Sequence, residues 1–464
     1  MRGSGCEGSE QRLHSPQNGR WHSKWQIKKL GQEMSDRQEV APPEPDLTPE
    51  ELIARARALR PLLRERQADC ERLGHVPEDV NKKLIEAGFY RTVQPRRFGG
   101  YEFDVPTFYR VMMEISRGCI ETGWVVALTS GHPLLFANFP EEAQREAFGK
   151  DGDFRAPAAF GPMGTATPVD GGYRINAAPD SASGIDGSTH FIGMAAVQAE
   201  GGAPGGMIQF ILPRDKYEIV DNWTVMGMRG TGSKRVAIKD VFVPKYLTMA
   251  GAGTGVRSAE PAARSAGRLY SNPMYMGRVG NFLIGESTSC AVGGARAALD
   301  IYEDIIKNKR SGFGAGPGAG TLSQNPEYQM HYGKALALVS TAEAAFLRAG
   351  EEFMEYAREE AAGGAPFDAE KDQRLTIIEN KCIAMSWEAV DLIYKTAGTT
   401  ASAKQGTMLG RLFRNMAVLN THPALQLDRS SLAAARARLG AGAPGFGGIE
   451  GPAAAALTER PAVN

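Results

Sequence analysis

The chain has 464 residues, of which 42% are hydrophobic and 23% are charged, so it is long enough to bury a large core and to form more than one subdomain. Lysine plus arginine equals aspartate plus glutamate at 53 each, which leaves no charge excess to attract nucleic acid or an anionic membrane surface. The five cysteines are far apart and form no CxxC pair. This spacing argues against a disulfide framework and a metal site such as zinc, and it favours a reducing, cytoplasmic setting.

Residues 1–47 are predicted to be a disordered N-terminal extension, because a run rich in Gly, Ser, Gln and Arg followed by a Pro-rich leader offers little to pack. Residues 1–33 also lack the apolar segment of a signal peptide. No apolar run in the chain reaches the roughly 18 residues of a membrane-spanning helix. We therefore expect a protein that is neither exported nor inserted into a membrane.

Residues 48–153 are predicted to form an all-helical domain. Its first helix has a clear start signal, with Thr48 as the N-cap, Pro49 at the first helical position and Glu51 at the capping-box position. A second helix is expected between Pro77 and Gly88. Three further helices, each bounded by Gly or Pro, are expected at Pro106–Arg117, Glu121–Ser130 and Glu141–Phe148.

Residues 154–249 are predicted to form a compact antiparallel β domain. Short β-rich runs at Tyr173–Asn176, Met207–Leu212 and Val236–Val243 are separated by Gly, Pro and Asp turns. Residues 250–271 consist mostly of Ala, Gly, Ser and Arg without periodicity, so we expect a long loop there, either a lid or a disordered segment.

Residues 272–438 are predicted to form a four-helix bundle, because apolar residues recur there at helical spacing. The tail at 439–464, dominated by Ala, Gly and Pro, is expected to be flexible. The predicted fold class is therefore α+β, with a helical domain, a β domain and a helical bundle in that order. The four predicted bundle helices are Ala291–Ile306, Tyr328–Tyr356, Leu375–Thr396 and Leu409–Thr421.

Two groups of motifs accompany this uncommon domain order. The first comprises Leu84–Tyr90 and the glycine turn Phe98–Gly100. The second comprises Trp223, Met226–Ser233 and Asp240–Pro244, whose glycines let the backbone approach a planar ring closely. In their order along the chain, these motifs resemble the acyl-CoA dehydrogenase superfamily.

A dehydrogenase of this family carries a catalytic carboxylate beside its flavin, commonly late in the bundle. Here no glutamate lies between Gly406 and Thr421, and His422 occupies the corresponding stretch. Glu286, near the first long bundle helix, does not align with the family's other glutamate position. Histidine in this place, together with Ser181–Gly184, resembles the flavin hydroxylases of the superfamily that act on 4-hydroxyphenylacetate, steroid-derived phenols and dibenzothiophene.

This resemblance implies an oxygenase component that uses reduced FMN or FAD and O2, through a C4a-hydroperoxide, to hydroxylate a phenolic, indole-like or polycyclic aromatic substrate. His422 is then the candidate for acid–base catalysis, since imidazole titrates near neutral pH. Its alternative role is to cap the carbonyls before Pro423. Ser183 would face flavin N5, with Ser181 as the alternative in a register shifted by two, and both serines are also ordinary turn formers.

The resemblance also implies residues around the substrate and the cofactor. Trp124 and His132 match positions near the substrate ring, and their alternatives are core packing and a satisfied structural histidine. Arg310 would reach the flavin phosphate from a neighbouring subunit, unless it is a solvated basic helix end. The cofactor-binding residues implied are Phe160, Ser183, Trp223, Arg310, Gly398 and Thr399.

The sequence contains no dinucleotide-binding GxGxxG after a strand, no P-loop and no HExxH motif. We therefore predict that a separate flavin reductase supplies reduced flavin by diffusion, and the family resemblance implies a homotetramer. Two alternatives remain: an acyl-CoA dehydrogenase with FAD whose base is not aligned, and a non-catalytic flavin-binding protein on the same scaffold.

Overall fold

The computed structural model describes residues 39–160, 164–198, 204–251, 269–310 and 320–439. Within these ranges lie eleven α-helices and seven β-strands. The predicted extension up to residue 38, residues 252–268 of the predicted loop, and the tail from residue 440 lie outside the described residues. None of the helices in the described ranges is long and apolar enough to cross a membrane.

Five helices form the N-terminal domain, and the predicted capping box at its start is confirmed. The N–H of Glu51 donates to Thr48 Oγ1, and the Glu51 carboxylate accepts from the N–H of Thr48 at 2.9 Å. The helices are α1 (Pro49–Leu73), α2 (Glu78–Glu86), α3 (Val105–Gly118), α4 (Ile120–Phe136) and α5 (Glu141–Phe148).

Helix α4 extends beyond its predicted end. We expected it to stop at Ser130, because Gly131 and Pro133 are helix-breaking residues. That boundary is wrong, since the helix continues to Phe136. Nearly every side chain of α4 is buried, so tertiary packing outweighs the local signal. His132 therefore lies within a packed helix rather than on a loop.

The central domain is one seven-stranded sheet with the strand order β5-β6-β2-β1-β3-β4-β7. Neighbouring strands are antiparallel except for β1 and β3, which are parallel. The prediction did not contain this parallel pair, which arises because β2 returns along one side of β1 and the chain then crosses to the other side. The strands are β1 (Gly164–Val169), β2 (Gly172–Ala177), β3 (His190–Gln198), β4 (Pro204–Pro213), β5 (Glu218–Val220), β6 (Arg235–Pro244) and β7 (Thr248–Gly251).

The C-terminal bundle contains a helix at each of the four predicted positions, and its core is continuous with that of the N-terminal domain. The predicted start of the first of these helices at Ala291 is wrong, because the helix already begins at Val279. Tyr109 of α3 stacks on Phe346 with ring centroids 4.4 Å apart and lies beside Phe282. These contacts hold α3 against the bundle. The helices are α6 (Val279–Asn308), α7 (Pro326–Ala361), α8 (Ala369–Thr396), α9 (Thr399–Ser402), α10 (Met408–Leu419) and α11 (Leu427–Arg438).

Candidate active site

Ser183 lies on the turn that connects β2 to β3. Within this turn Ser181 is exposed and has a left-handed backbone with φ of 68°, whereas Ser183 is buried with 8% exposure. Gly184 is also left-handed, and a Cβ at that position would lie 2.8 Å from Val125 Cγ1 of α4. The turn therefore packs tightly on α4 and directs Ser183, not Ser181, into the protein.

Three buried hydroxyl groups form a hydrogen-bonded series that we call the hydroxyl chain: Ser183, Ser233 and Thr231. Oγ of Ser183 lies 2.8 Å from Oγ of Ser233, which in turn lies 2.6 Å from Oγ1 of Thr231. Thr231 donates to the carbonyl oxygen of Met228 at 2.7 Å. The series thus ends on a backbone acceptor.

The Met228 carbonyl at the end of the hydroxyl chain determines which hydroxyl group donates to which. A carbonyl oxygen only accepts, so the single Thr231 proton is committed to Met228, and Ser233 must donate to Thr231. Ser183 must then donate to Ser233. At the other end, indole Nε1 of Trp124 donates to Ser183 Oγ at 3.1 Å. Ser183 is left with one lone pair, so it can accept a hydrogen bond from a group in the site but has no proton to give.

Trp124 brings Ser183 and His422 together. The Trp124 ring is buried and lies edge-on to the His422 ring, with centroids 6.1 Å apart and planes inclined by 62°. Because its indole N–H donates a hydrogen bond to Ser183, Trp124 has a polar role in the site in addition to packing in the core. Three predicted site residues therefore lie side by side: Trp124 on α4, Ser183 on the turn after β2, and His422 after α10.

His422 follows α10 and begins a short turn. Its Nδ1 accepts from the N–H of Ala424 at 3.3 Å, so the neutral ring carries its proton on Nε2. Desolvation by the surrounding protein lowers the pKa of His422, although the side chain keeps solvent access. In this geometry Nδ1 caps an N–H group, which differs from the alternative role of capping the carbonyls at the end of α10.

His132 is fully buried within α4. Its Nδ1 lies 2.6 Å from the carbonyl oxygen of Ala156, so Nδ1 carries the proton and Nε2 is the acceptor. Burial lowers the pKa of His132 to about 4, which keeps the ring neutral at physiological pH. The ring of Phe160 lies edge-on at a centroid distance of 6.1 Å. His132 can therefore receive a hydrogen bond from a donor but not give one through Nε2.

The glycine loop, Gly227–Ser233, is held by side chains from two helices. The N–H of Gly230 donates to Glu121 Oε1 of α4 at 2.7 Å, and the N–H of Met228 donates to Asn415 Oδ1 of α10 at 2.6 Å. We expected the glycines to admit a planar ring, but a Cβ at Gly227 would lie 2.2 Å from the backbone oxygen of Arg414. That glycine is required by packing against α10. Sequence reasoning missed Glu121 and Asn415, because only their burial in the fold reveals them.

Cys70, Cys119 and Glu121 converge beneath the glycine loop, with their ligand-type atoms within 4.8 Å of one another. The two cysteines are distant in sequence, so their spacing did not indicate this cluster. Cys70 Sγ lies 3.6 Å from the carbonyl oxygen of Gly230. Burial raises the pKa of Glu121 to about 8. Because Glu121 and Cys70 both contact Gly230, the cluster acts as a support for the loop.

Two of the predicted cofactor residues lie on the β-domain side of the site. Trp223 is half-buried, and its Nε1 donates to the carbonyl oxygen of Met228 at 2.8 Å. That carbonyl is also the end of the hydroxyl chain. Phe160, next to His132, keeps 36% of its surface exposed, and Met226 keeps 59%. Both side chains are therefore accessible to a bound molecule.

The other predicted cofactor residues lie where α6 ends and α9 begins. Arg310 follows α6 and is exposed. Gly398, with φ of 83°, precedes Thr399 at the start of α9. Lys309 Nζ donates to Thr400 Oγ1 at 3.3 Å, so the basic end of α6 meets the Gly398 turn within one chain.

The described residues fit a flavin ring. Ser183 offers an acceptor for a ring N–H, while Trp223, Met226 and Phe160 offer apolar surface. A planar heterocycle with polar edges requires both features, because its faces are apolar and its ring nitrogens form hydrogen bonds.

Comparison with known proteins identifies the family of the chain. Residues 50–151 match the family profile described as acyl-CoA dehydrogenase, N-terminal domain, and residues 287–427 match the C-terminal domain. Over 379 residues the chain is 31% identical to the flavin-dependent monooxygenase oxygenase subunit HsaA of Rhodococcus jostii, which covers 82% of this chain and 95% of that protein. The chain belongs to the flavin-dependent monooxygenase oxygenase subunits of the acyl-CoA dehydrogenase family.

Two further proteins illustrate the range of this family. The FADH(2)-dependent resorcinol hydroxylase oxygenase component of a Rhizobium species is 30% identical over 295 residues, which is 63% of this oxygenase and 70% of that protein. The crystal structure of 3-HSA hydroxylase from Rhodococcus sp. RHA1 superposes with a TM-score of 0.77 at 28% identity, covering 84% of this oxygenase and 97% of that chain. The predicted fold class and the predicted flavin-dependent monooxygenase are thus confirmed.

Proposed function

We propose that this oxygenase inserts one oxygen atom of O2 into an aromatic ring, with reduced FMN or FAD supplied by a separate flavin reductase. The observation that carries this proposal is the fixed direction of the hydroxyl chain. It leaves Ser183 as a pure acceptor beside Trp124 and His422. A reduced flavin presents ring N–H groups, so an acceptor is the group that the reduced form of the cofactor requires.

When bound, reduced flavin supplies the electrons that activate O2. In our proposal Ser183 accepts from a ring N–H, and Trp223 and Phe160 contact the ring. Arg310 binds the flavin phosphate of a neighbouring subunit in a homotetramer, and Gly398 and Thr399 lie close to the cofactor. The family membership of the chain supports these assignments, as does the acceptor at Ser183.

His422 holds and moves a proton at Nε2 in this proposal. The hydrogen bond from Ala424 fixes Nδ1 as an acceptor and leaves the proton on the outer nitrogen. The lowered pKa of His422 keeps the ring neutral near pH 7, so Nε2–H can donate without carrying a positive charge. A neutral ring can donate a hydrogen bond from Nε2 but cannot give up its only proton. Transfer of the Nε2 proton therefore requires the ring first to take up a second proton from solvent, to which His422 is exposed.

His132 and Trp124 orient the aromatic substrate. His132 Nε2 accepts from a substrate donor, since its Nδ1 proton is committed to Ala156. The helix that carries both side chains is buried along almost its whole length, so the acceptor is held in a fixed position. Exclusion of water around these side chains prevents loss of the activated oxygen by competing reactions.

A reductase-coupled assay tests the proposed function. The purified oxygenase is mixed with a flavin reductase, NADH, FMN or FAD, and a set of phenols and indole, and hydroxylated product and hydrogen peroxide are both measured. We expect product from the wild type, and at least tenfold less product per NADH from Ser183→Ala. Complete recovery of the reduced O2 as hydrogen peroxide, with every aromatic tested, would overturn the proposal.

A further inference from the structure

Glu286 is a carboxyl group buried in the centre of the protein. Its side chain on α6 is fully inaccessible, and neither oxygen has a hydrogen-bond partner among the described residues. Gly131 of α4 makes room for it, because a Cβ at that position would lie 1.9 Å from Glu286 Oε1. Burial raises the pKa of Glu286 well above its ordinary value, so the side chain is a neutral acid with one proton to donate.

His132 faces this acid. Its Nε2 lies 3.9 Å from Glu286 Oε2 and also has no hydrogen-bond partner in the described part of the chain. Because His132 Nδ1–H donates to Ala156, Nε2 offers only a lone pair. A proton donor and a proton acceptor therefore face each other at a distance too long for a direct hydrogen bond. Buried polar atoms without partners are rare, and a pair of them facing one another indicates a binding position.

Two atoms 3.9 Å apart leave no room for an atom directly between them, but one oxygen atom can lie to the side of the pair and reach both. An oxygen about 2.8 Å from each group would satisfy both of them. That atom must accept from Glu286 and donate to His132. A hydroxyl group does both, whereas an indole N–H only donates and an ether oxygen or a thioether sulfur only accepts.

We propose that Glu286 and His132 together hold the hydroxyl oxygen of a phenolic substrate. Glu286 donates its carboxylic acid proton to that oxygen, and His132 Nε2 accepts the phenol O–H. This inference rests on the proposed function and assigns Glu286 as the residue that selects hydroxyl-bearing rings.

The inference is tested by equilibrium binding and by turnover with three matched ligands: a phenol, its methyl ether and indole. Glu286→Gln keeps an N–H donor of the same shape, and Glu286→Leu removes it. Thr288→Val is the control, because Thr288 is a buried polar residue on the same helix, and within the described ranges its hydroxyl donates only to the Ile284 carbonyl. Calorimetry of the purified protein measures ligand binding independently of turnover.

For Glu286→Leu we expect phenol binding to weaken by about tenfold or more, with a matching rise in KM, while binding of indole, which has no oxygen to accept from Glu286, changes by less than about threefold. The methyl ether should also bind less well to Glu286→Leu, because its oxygen accepts from Glu286. Glu286→Gln should stay within about threefold of the wild type for all three ligands. In the variant that combines His132→Phe with Glu286→Leu, the loss for phenol should be smaller than the product of the two single losses, because both groups bind one oxygen.

Two outcomes would overturn the inference: an equal loss for phenol and indole in Glu286→Leu, or an unchanged affinity for phenol in that variant. Either result means that the pair has a structural role only. These outcomes differ from failure of the proposed function. In that case the wild type would yield no hydroxylated product from any aromatic, whatever the Glu286 variants bind.

Discussion

Replacing Ser233 by alanine removes the middle of the hydroxyl chain. Ser183 loses its acceptor, and Thr231 loses the group that donates to it. Two buried hydrogen bonds at about 0.5–1.5 kcal/mol each predict a loss of about 1–3 kcal/mol in the free energy of unfolding. The Ser183 hydroxyl then becomes free to turn its proton into the site, where the flavin N–H requires an acceptor.

We expect this rotation to reduce the ratio of hydroxylated product to hydrogen peroxide by about five- to tenfold. The loss of one hydrogen bond changes the difference in activation free energy between the two competing reactions by about 1–1.4 kcal/mol, which corresponds to that factor. The assay is reductase-coupled turnover with both products quantified. Ser188→Ala is the matched control, since Ser188 is another buried serine of the β domain and also makes two hydrogen bonds, to the Ile185 carbonyl and the Tyr217 hydroxyl. Equal product ratios in the two variants would refute the role of the hydroxyl chain.

Three single substitutions test the roles of His422, Glu121 and His132. His422→Gln should lower product formation more than tenfold without changing the melting temperature. The control variant His331→Gln, on α7, should keep wild-type product formation. Equal activities of the two variants would contradict the role of His422. The pKa of Glu121 is raised to about 8 in the folded state, so its contribution to stability is present below about pH 4.5 and is lost as the pH rises towards 8. Melting temperatures should therefore fall less over this range in Glu121→Gln than in the wild type. The pKa of His132 is lowered to about 4, so stability should be lost as the pH falls from about 6.5 to 4, and this loss should be smaller in His132→Phe.

The order of domains could be predicted from the sequence because it depends on local signals. The capping box at Thr48, the glycine and proline boundaries, and the change from helical to alternating apolar spacing each involve residues close together in the chain. The end of α4 could not be predicted in this way. At Gly131 and Pro133 the local signal favours termination, and burial between the other elements decides otherwise.

The same distinction applies to the candidate site. Ser183, Trp124 and His422 were singled out through resemblance, and the structure places them together. The direction of the hydroxyl chain required the positions of Ser233 and Thr231 relative to a carbonyl. Glu286 was set aside because it aligns with no dehydrogenase base, yet it lies 3.9 Å from His132 on a different helix. Pairings between residues this far apart in sequence have no local signature, so only the fold can reveal them.

Turnover under oxygen-18 gas shows whether the oxygen atom inserted into the ring comes from O2. The oxygenase, a flavin reductase, NADH and a phenol are incubated under labelled O2 in unlabelled water, and the product is analysed by mass spectrometry. We expect one labelled oxygen atom in each newly formed hydroxyl group. Product that carries oxygen from water, or labelled hydrogen peroxide with no labelled product, would contradict it.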